Sequence, residues 1–412
     1  MIRHVFHVAA VVGACSSTVA WGQSGCLTEL GRLEYADFAQ GELTALQQGR
    51  EPALIGEVLF TARAVFASTE LLAIDISDPG VPTVVGGAPV PQNPFCTTAA
   101  AIAASGDQVF YFGASILTSY SVSDPRSPAF VRQDGILNCS SQNVDLLVSD
   151  DHVFALFAVA GSAKVLVYDR GLLRLPNPPL PDPPINTLVH EFTLDTGQRT
   201  VQSMNRSGDF LILADRNGLY ILDASTPVDI RLERYIPGLG FTRETAVDSE
   251  GRIFVPLSSS PLVSIAPPIA SSGPVVSPGV FLQDSFGLSV EAELLVQPDI
   301  FGAGTLRAFD VREPSSVSLI DSQTGFAGRG VVLRDGLAYV SGDTGIAIFD
   351  TRTCLPCSPV DFASFGTLDF LDINAFVAAF LASDQAADLN GDGGFDFLDI
   401  NAFVSAFLAG CP

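Results

Sequence analysis

The chain has 412 residues, 47% hydrophobic and 16% charged, a balance that fits packed globular structure and excludes a largely disordered chain. Its formal charge of −24, with a single lysine, Lys164, opposes sustained contact with nucleic-acid phosphates or an anionic membrane surface.

The first 20 residues place one basic residue, Arg3, ahead of an apolar run from Val5 to Val12 and small residues up to Thr18, Val19 and Ala20. That order reads as a secretory signal peptide (1–20) cleaved after Ala20, with a buried first strand as the plainer alternative. The run is too short to span a membrane. Export to the extracellular space, the cell surface or the periplasm is therefore expected; VGAC, ending at Cys15, also matches a marginal lipobox, the alternative of a lipid-anchored N-terminus. Loss of Cys15 leaves Cys26, Cys96, Cys139, Cys354, Cys357 and Cys411, and an even number in an exported protein favours disulfides over free thiols or a metal.

Between residues 56 and 353 the chain repeats two apolar runs joined by a polar turn, then a third run that ends in an acidic turn. The third run recurs as LLAIDISDP from Leu71, LTSYSVSDP from Leu117, VLVYDR from Val165, LYILDASTP from Leu219, LVSIAPP from Leu262, LRAFDVREP from Leu306 and IAIFDTR from Ile346. The closing residues, Asp75, Ser121, Asp169, Asp223, Ala266, Asp310 and Asp350, are spaced by 46, 48, 54, 43, 44 and 40 residues. The runs are short, rich in Val, Ile, Leu and Phe, and punctuated by Gly, Asp, Ser and Pro, so they read as strands. Four such strands per unit of about 45 residues, seven times over, predict a mainly β fold, a seven-bladed β-propeller over residues 26–355.

The unit LLAIDISDPGVP, echoed by TSYSVSDPRSP, resembles the LVIVD-repeat family, a propeller-type repeat of bacterial surface and secreted proteins. The likeness is good in the first two units, partial in the fourth and sixth, and poor in the fifth, where Ala266 replaces the acidic residue. It implies architecture and no settled ligand. The motif also has its own chemistry: Asp and Ser side chains bond turn backbone groups, and Pro refuses a further ladder donor at the edge.

The last unit lacks a fourth strand, while CLTELGRLE from Cys26 precedes the first complete unit, so this N-terminal strand is expected to close the ring. Cys26 and Cys354 then meet at the closure. Cys96 and Cys139 lie 11 and 12 residues ahead of Asp107 and Asp151, in equivalent loops of neighbouring blades. Each pair is a disulfide candidate, with buried thiols as the alternative. RLPNPPLPDPP, residues 174–184, lengthens the third unit and reads as an extended proline-rich loop, a rigid spacer or a recognition strand.

The chain ends with DLNGDGGFDFLDINAFVSAFLAGCP from Asp388, and 27 residues earlier carries DFASFGTLDFLDINAFVAAFLAS from Asp361. In the second copy Asp388, Asn390, Asp392, Gly394 (through its carbonyl), Asp396 and Asp399 take the ligand positions of a twelve-residue calcium loop, with Gly393 at its sharp turn. A loop that alternates ligand with spacer aims several oxygens at one hard cation. In the first copy Asp361, Asp369 and Asp372 remain, but Ala363 and Phe365 replace two ligands, so one calcium site is expected in all. Each loop runs into an apolar stripe, Ile373, Phe376, Val377, Phe380 and Leu381 in the first copy and Ile400, Phe403, Val404, Phe407 and Leu408 in the second. Two such stripes are expected to bury each other.

Tandem loop–helix units without an entering helix resemble a type I dockerin, and the segment from Cys357 to the terminal GCP is similar to the GC-type dockerins that anchor secreted bacterial proteins. The resemblance implies a domain at 357–412, a cohesin-like or other surface anchoring partner, and a Cys357–Cys411 disulfide stapling a small core. Where cohesin-binding dockerins carry small hydroxylated residues, this chain has Phe370–Leu371 and Phe397–Leu398. These repeated pairs are either core or a hydrophobic partner-reading patch, and they speak against an ordinary cohesin partner.

No HExxH, GxSxG or phosphate-binding loop occurs, and His152 and His190, the histidines left after signal cleavage, are expected to be hydrogen-bonded structural groups. No catalytic residue is assigned. The expectation is a secreted, non-enzymatic propeller that presents loops to a ligand on a calcium-stabilised anchor. The competing expectation is a secreted propeller enzyme acting on extracellular carbohydrate through carboxylates that meet at the propeller mouth.

Overall fold

The computed structural model describes residues 26–34, 52–65, 68–91, 101–113, 116–135, 142–159, 161–177, 185–197, 200–215, 217–239, 244–257, 260–265, 275–281, 287–291, 293–299, 304–313, 315–342, 344–355, 360–362, 368 and 370–410. After β1 (Thr28–Glu34) the strands come in fours: β2 (Ala53–Ile55), β3 (Val58–Val65), β4 (Ser68–Asp75) and β5 (Thr83–Val90), then β6 (Ala101–Ser105), β7 (Gln108–Gly113), β8 (Ile116–Ser121) and β9 (Ala129–Gly135). The third blade is β10 (Gln142–Val148), β11 (His152–Val159), β12 (Ser162–Asp169) and β13 (Leu188–Asp195); the fourth is β14 (Val201–Ser207), β15 (Phe210–Asp215), β16 (Gly218–Asp223) and β17 (Arg231–Pro237). The fifth is β18 (Ala246–Val247), β19 (Ile253–Leu257), β20 (Ser260–Ile265) and β21 (Val275–Phe281); the sixth is β22 (Ser289–Glu291), β23 (Leu294–Asp299), β24 (Thr305–Asp310) and β25 (Ser318–Thr324). The seventh has only β26 (Gly328–Arg334), β27 (Leu337–Gly342) and β28 (Gly345–Asp350) in sequence.

Each set forms an antiparallel four-stranded sheet in chain order, and the seventh takes β1 as its outer strand. Thr28 faces Asp350 and Glu34 faces Gly345 in that pairing. The fold is therefore a seven-bladed propeller closed by its own N-terminal strand, as the missing fourth strand predicted. Cys26 and Cys354 form a disulfide at this closure, with Cα atoms 4.7 Å apart.

A hydrophobic cluster fills every interface between consecutive blades. Phe60, Tyr111 and Tyr120 join the first and second, and Phe110, Phe157 and Tyr168 lie between the second and third. Met204 with Val165, Ile212 with Val255, Phe254 with Phe309, and Val296 with Val340 continue the ring. Leu33, Leu59, Ile74 and Ile348 seal the last blade against the first. Apolar residues on both faces of a blade are what a ring of stacked sheets requires, because each sheet has a neighbour on either side.

The outer strands carry one recurring irregularity. A register shift interrupts the pairing of β5, β9, β13, β17, β25 and β1 with their inner neighbours. Such bulges twist an exposed edge and remove it as a template for another strand. Close approach is needed elsewhere: a Cβ on Gly86 would stand 1.8 Å from the Arg126 carbonyl of the next blade.

The tail folds around its own core. Helices α1 (Phe370–Leu381) and α2 (Phe397–Ala409) meet through Phe376 and Phe403, stacked at 4.1 Å, with Val360, Phe362, Ala387, Phe380 and Phe407 around them. The expected stripes are only partly buried. Val377, Leu381, Ile400, Val404 and Leu408 are exposed, because each helix is rotated so that Asp372 or Asp399, Phe376 or Phe403, and Phe380 or Phe407 turn inward.

Candidate functional site

The inner strands surround the propeller axis, and their polar side chains bridge blade to blade. Asp145 on β10 accepts from Met204 N on β14 at 2.8 Å and from Leu146 N at 2.9 Å. Asn205 Nδ2 donates to the Thr245 carbonyl, and Glu291 on β22 accepts from Asp335 N and Gly336 N. A small cavity here is lined by Ile102, Asp145, Leu147, Met204, Asn205 and Glu244. Two carboxylate residues, Asp145 and Glu244, thus line one cavity, and each oxygen of Asp145 accepts a backbone amide. The sequence signal was slight: Asp145 is the one acid of β10, and Glu244 lies ahead of β18 with no motif around it.

The acidic turns after each third strand have the chemistry expected of them. Asp75 accepts from Ser77 N and Oγ, and Asp223 and Asp310 accept from Ser225 N and Arg312 N. The Ser77 hydroxyl and amide hold the Asp75 carboxyl below the usual range, and the Arg312 guanidinium does the same for Asp310. Arg126 of the second blade reaches back to Asp75 at 2.6 Å, tying adjacent turns together.

The tail loop forms a compact network. Asp388 accepts from Gly391 N and Gly393 N, both at 2.9 Å, and Asp392 accepts from Gly394 N at 2.8 Å. Gly391 and Gly393 hold φ of 72° and 82°, the left-handed region that glycine enters without a Cβ penalty. Asp396 is the N-cap of α2 and accepts from Leu398 N, while the buried Asp399 three residues on returns to Asp396 N, completing a capping box. That backbone amide, helped by Asn390 N, keeps the Asp399 carboxyl below its ordinary range.

The loop's donors are all oxygens and include four carboxylates, Asp388, Asp392, Asp396 and Asp399, a set chemically suited to a hard divalent cation. Among the described residues no group of three or more carboxylate, histidine or cysteine side chains is gathered as a metal site. In the first copy Asp361 and Asp372 are buried, and Asp369 lies outside the described residues.

The repeated pairs expected as core or patch are on the surface. Phe370 is 69% exposed, Leu371 51%, Phe397 74% and Leu398 56%, and Leu381 and Leu408 near the other ends of the helices reach 78% and 79%. The burial expected between the two stripes is thus confined to one face, and a second apolar face is left bare.

Cys96, Cys139, Cys357 and Cys411 lie outside the described residues, as does the stretch expected to be a signal peptide. No described helix is long and apolar enough to cross a membrane. His152 donates its backbone N–H to Ser149 Oγ, and its ring lies beside Phe154. His190 Nε2 is buried and meets no hydrogen-bond partner among the described residues.

The LVIVD repeat profile matches residues 65–88 and 198–233, which are the third and outer strands of the first blade and most of the fourth blade. The second unit, with its TSYSVSDPRSP, is not matched. No curated protein sequence matches the chain. Among solved structures, the WD40 β-propeller domain of Doa1 aligns with a TM-score of 0.51 at 13% identity, over 79% of this chain and 96% of that one, a likeness of fold. BamB from Moraxella catarrhalis aligns at 0.48 and 13% identity over 78% and 97%, and the computationally designed Ika8 protein at 0.48 and 12% over 78% and 99%.

Proposed function

We propose that this is a secreted, non-enzymatic binding protein whose propeller presents loops to a ligand while its dockerin-like tail holds it to a cohesin-like or other surface partner. The observation that carries the reading is the bare apolar face of the tail: Phe370–Leu371 and Phe397–Leu398 occupy the same position in two copies of one sequence and are exposed in both. Exposed aromatic and aliphatic side chains repeated at a duplicated position are what a docking surface needs, since each loses solvent contact only when a partner arrives. One calcium ion in the loop 388–399 would neutralise carboxylates that otherwise repel and fix the start of α2.

The test is titration of the full chain with a panel of isolated cohesin modules, with calcium and with a chelator. Saturable binding that requires calcium and disappears in the Phe370→Asp, Phe397→Asp double variant supports the reading. Absence of binding to any module with calcium present removes the cohesin-like partner, and binding unaffected by the double variant removes the patch. Calorimetric uptake of two calcium ions would contradict the single site.

A further inference from the structure

We propose that Asn390–Gly391 is a self-modification site, a latent succinimide-forming pair that the folded tail loop holds in check. In this reaction the Gly391 backbone nitrogen attacks Cγ of Asn390. The new N–C bond closes a five-membered imide, the Cγ–Nδ2 bond breaks, and the side-chain nitrogen leaves as ammonia with the proton given up by the amide. Water then opens the imide at either carbonyl and gives aspartate at 390 or its β-linked isomer. Water is the sole co-reactant.

The pair meets the steric requirement. Both residues are exposed, and a Cβ placed on Gly391 would meet nothing within 4 Å, so neither side chain nor neighbour shields the nucleophile. What restrains it is hydrogen bonding. Gly391 N donates to Asp388 Oδ1 at 2.9 Å, and the Asn390 amide is turned forward and held at both ends, its Oδ1 accepting from Asp392 N at 2.8 Å and its Nδ2 donating to Asp392 Oδ2 at 2.9 Å. Nucleophile and electrophile are thus engaged with different carboxylates, and reaction requires the loop to open.

The chain contains its own control. Asn217–Gly218 is the same dipeptide, but Gly218 is buried, its N–H donates to Asp215 Oδ1 at 2.6 Å, and a Cβ there would lie 2.0 Å from the Ile236 carbonyl. That pair is sealed in the fourth blade. Conversion at 390 to the β-linked isomer adds one backbone carbon to a loop whose amides at 391, 393 and 394 are matched in register to Asp388 and Asp392. Ageing of this one bond therefore unlocks the segment that starts α2. None of this requires the calcium or anchoring reading.

The experiment is incubation of the full chain in mildly alkaline buffer, with peptide mapping by mass spectrometry and fragmentation that separates aspartate from its β-linked isomer. Slow conversion at Asn390 is expected, none at Asn217, and none at 390 in Asn390→Gln. Asp392→Ala frees Asn390 Nδ2, while Oδ1 keeps its bond from the backbone N–H at 392, and is expected to speed conversion about tenfold, the effect of losing one charge-assisted hydrogen bond on the open population. Helical circular dichroism is followed in parallel, and Asp388→Asn, which keeps shape but weakens the acceptor for Gly391 N–H, is expected to accelerate conversion with the tail still folded. Equal rates in the parent and both variants, or conversion of Asn217 ahead of Asn390, would overturn the proposal.

Discussion

Arg132 is buried in the outer strand of the second blade, yet all its donors are satisfied. Its Nε and Nη2 bind the two oxygens of Asp134 at 2.5 and 2.7 Å, and Nη1 and Nη2 reach the carbonyls of Leu172, Leu175 and Ile185. Leu172 and Ile185 flank the proline-rich insertion of the third blade and Leu175 lies at its start, so one side chain grips both arms of that loop. Arg132→Met leaves the Asp134 charge and three carbonyls without their partner and is expected to cost about 3–5 kcal/mol in chemical denaturation. Arg126, ion-paired with Asp75 but 62% exposed, is the contrast: Arg126→Ala is expected to cost about 0–1 kcal/mol, since water screens the pair. Equal losses in the two variants would mean that burial does not govern these arginines.

At the scale of elements, the helices of the tail are small and depend on few contacts. Phe403 stacks on Phe376 at 4.1 Å and lies beside Phe362 and Phe407, so Phe403→Ala is expected to cost about 3–5 kcal/mol. A segment this short has little stability to lose. Far-ultraviolet circular dichroism should therefore lose its helical part while the β transition stays in place. Acid acts on the same loop and on the blade turns. Asp399 is held below the ordinary carboxylate range by the Asp396 and Asn390 amides, Asp75 by Ser77 and Asp310 by Arg312. A depressed folded-state value contributes stability above the unfolded value, near pH 4, and that stability is lost as pH falls through the folded value. The melting temperature is expected to be level from neutrality to about pH 5 for these groups and to fall steadily below about pH 4.

For the whole molecule the decisive contact is the ring closure. Cys26 and Cys354 are 328 residues apart, so their bond removes a very large loop from the unfolded ensemble, worth about 6 kcal/mol on chain-entropy arguments. The paired substitution Cys26→Ser, Cys354→Ser is expected to lower the denaturation midpoint and to let β1 leave β28 first, seen as early hydrogen exchange at the amides of residues 28–34. Reductant should reproduce the shift in the parent protein and add nothing in the variant. Global unfolding without early loss of β1 would show that the ladder with β28 suffices on its own.

The period of apolar runs, the acidic turn after most third strands and the orphan N-terminal strand were enough to read a seven-bladed ring and its Cys26–Cys354 closure, because blades differ little and local strand chemistry repeats. The duplicated tail was legible as two loop–helix units for the same reason. Which apolar residues face inward was not legible there: a stripe of i, i+3, i+4 and i+7 residues spans more than one face, and only packing of Phe376 on Phe403 decided the rotation that leaves Phe370, Leu371, Phe397 and Leu398 in water. Nor did sequence reveal the bridges from Asp145 to Met204 or from Arg132 to Ile185, since they join residues 59 and 53 positions apart that meet only when neighbouring blades stack. Local periodicity is written in the chain; contacts between blades are made by the ring.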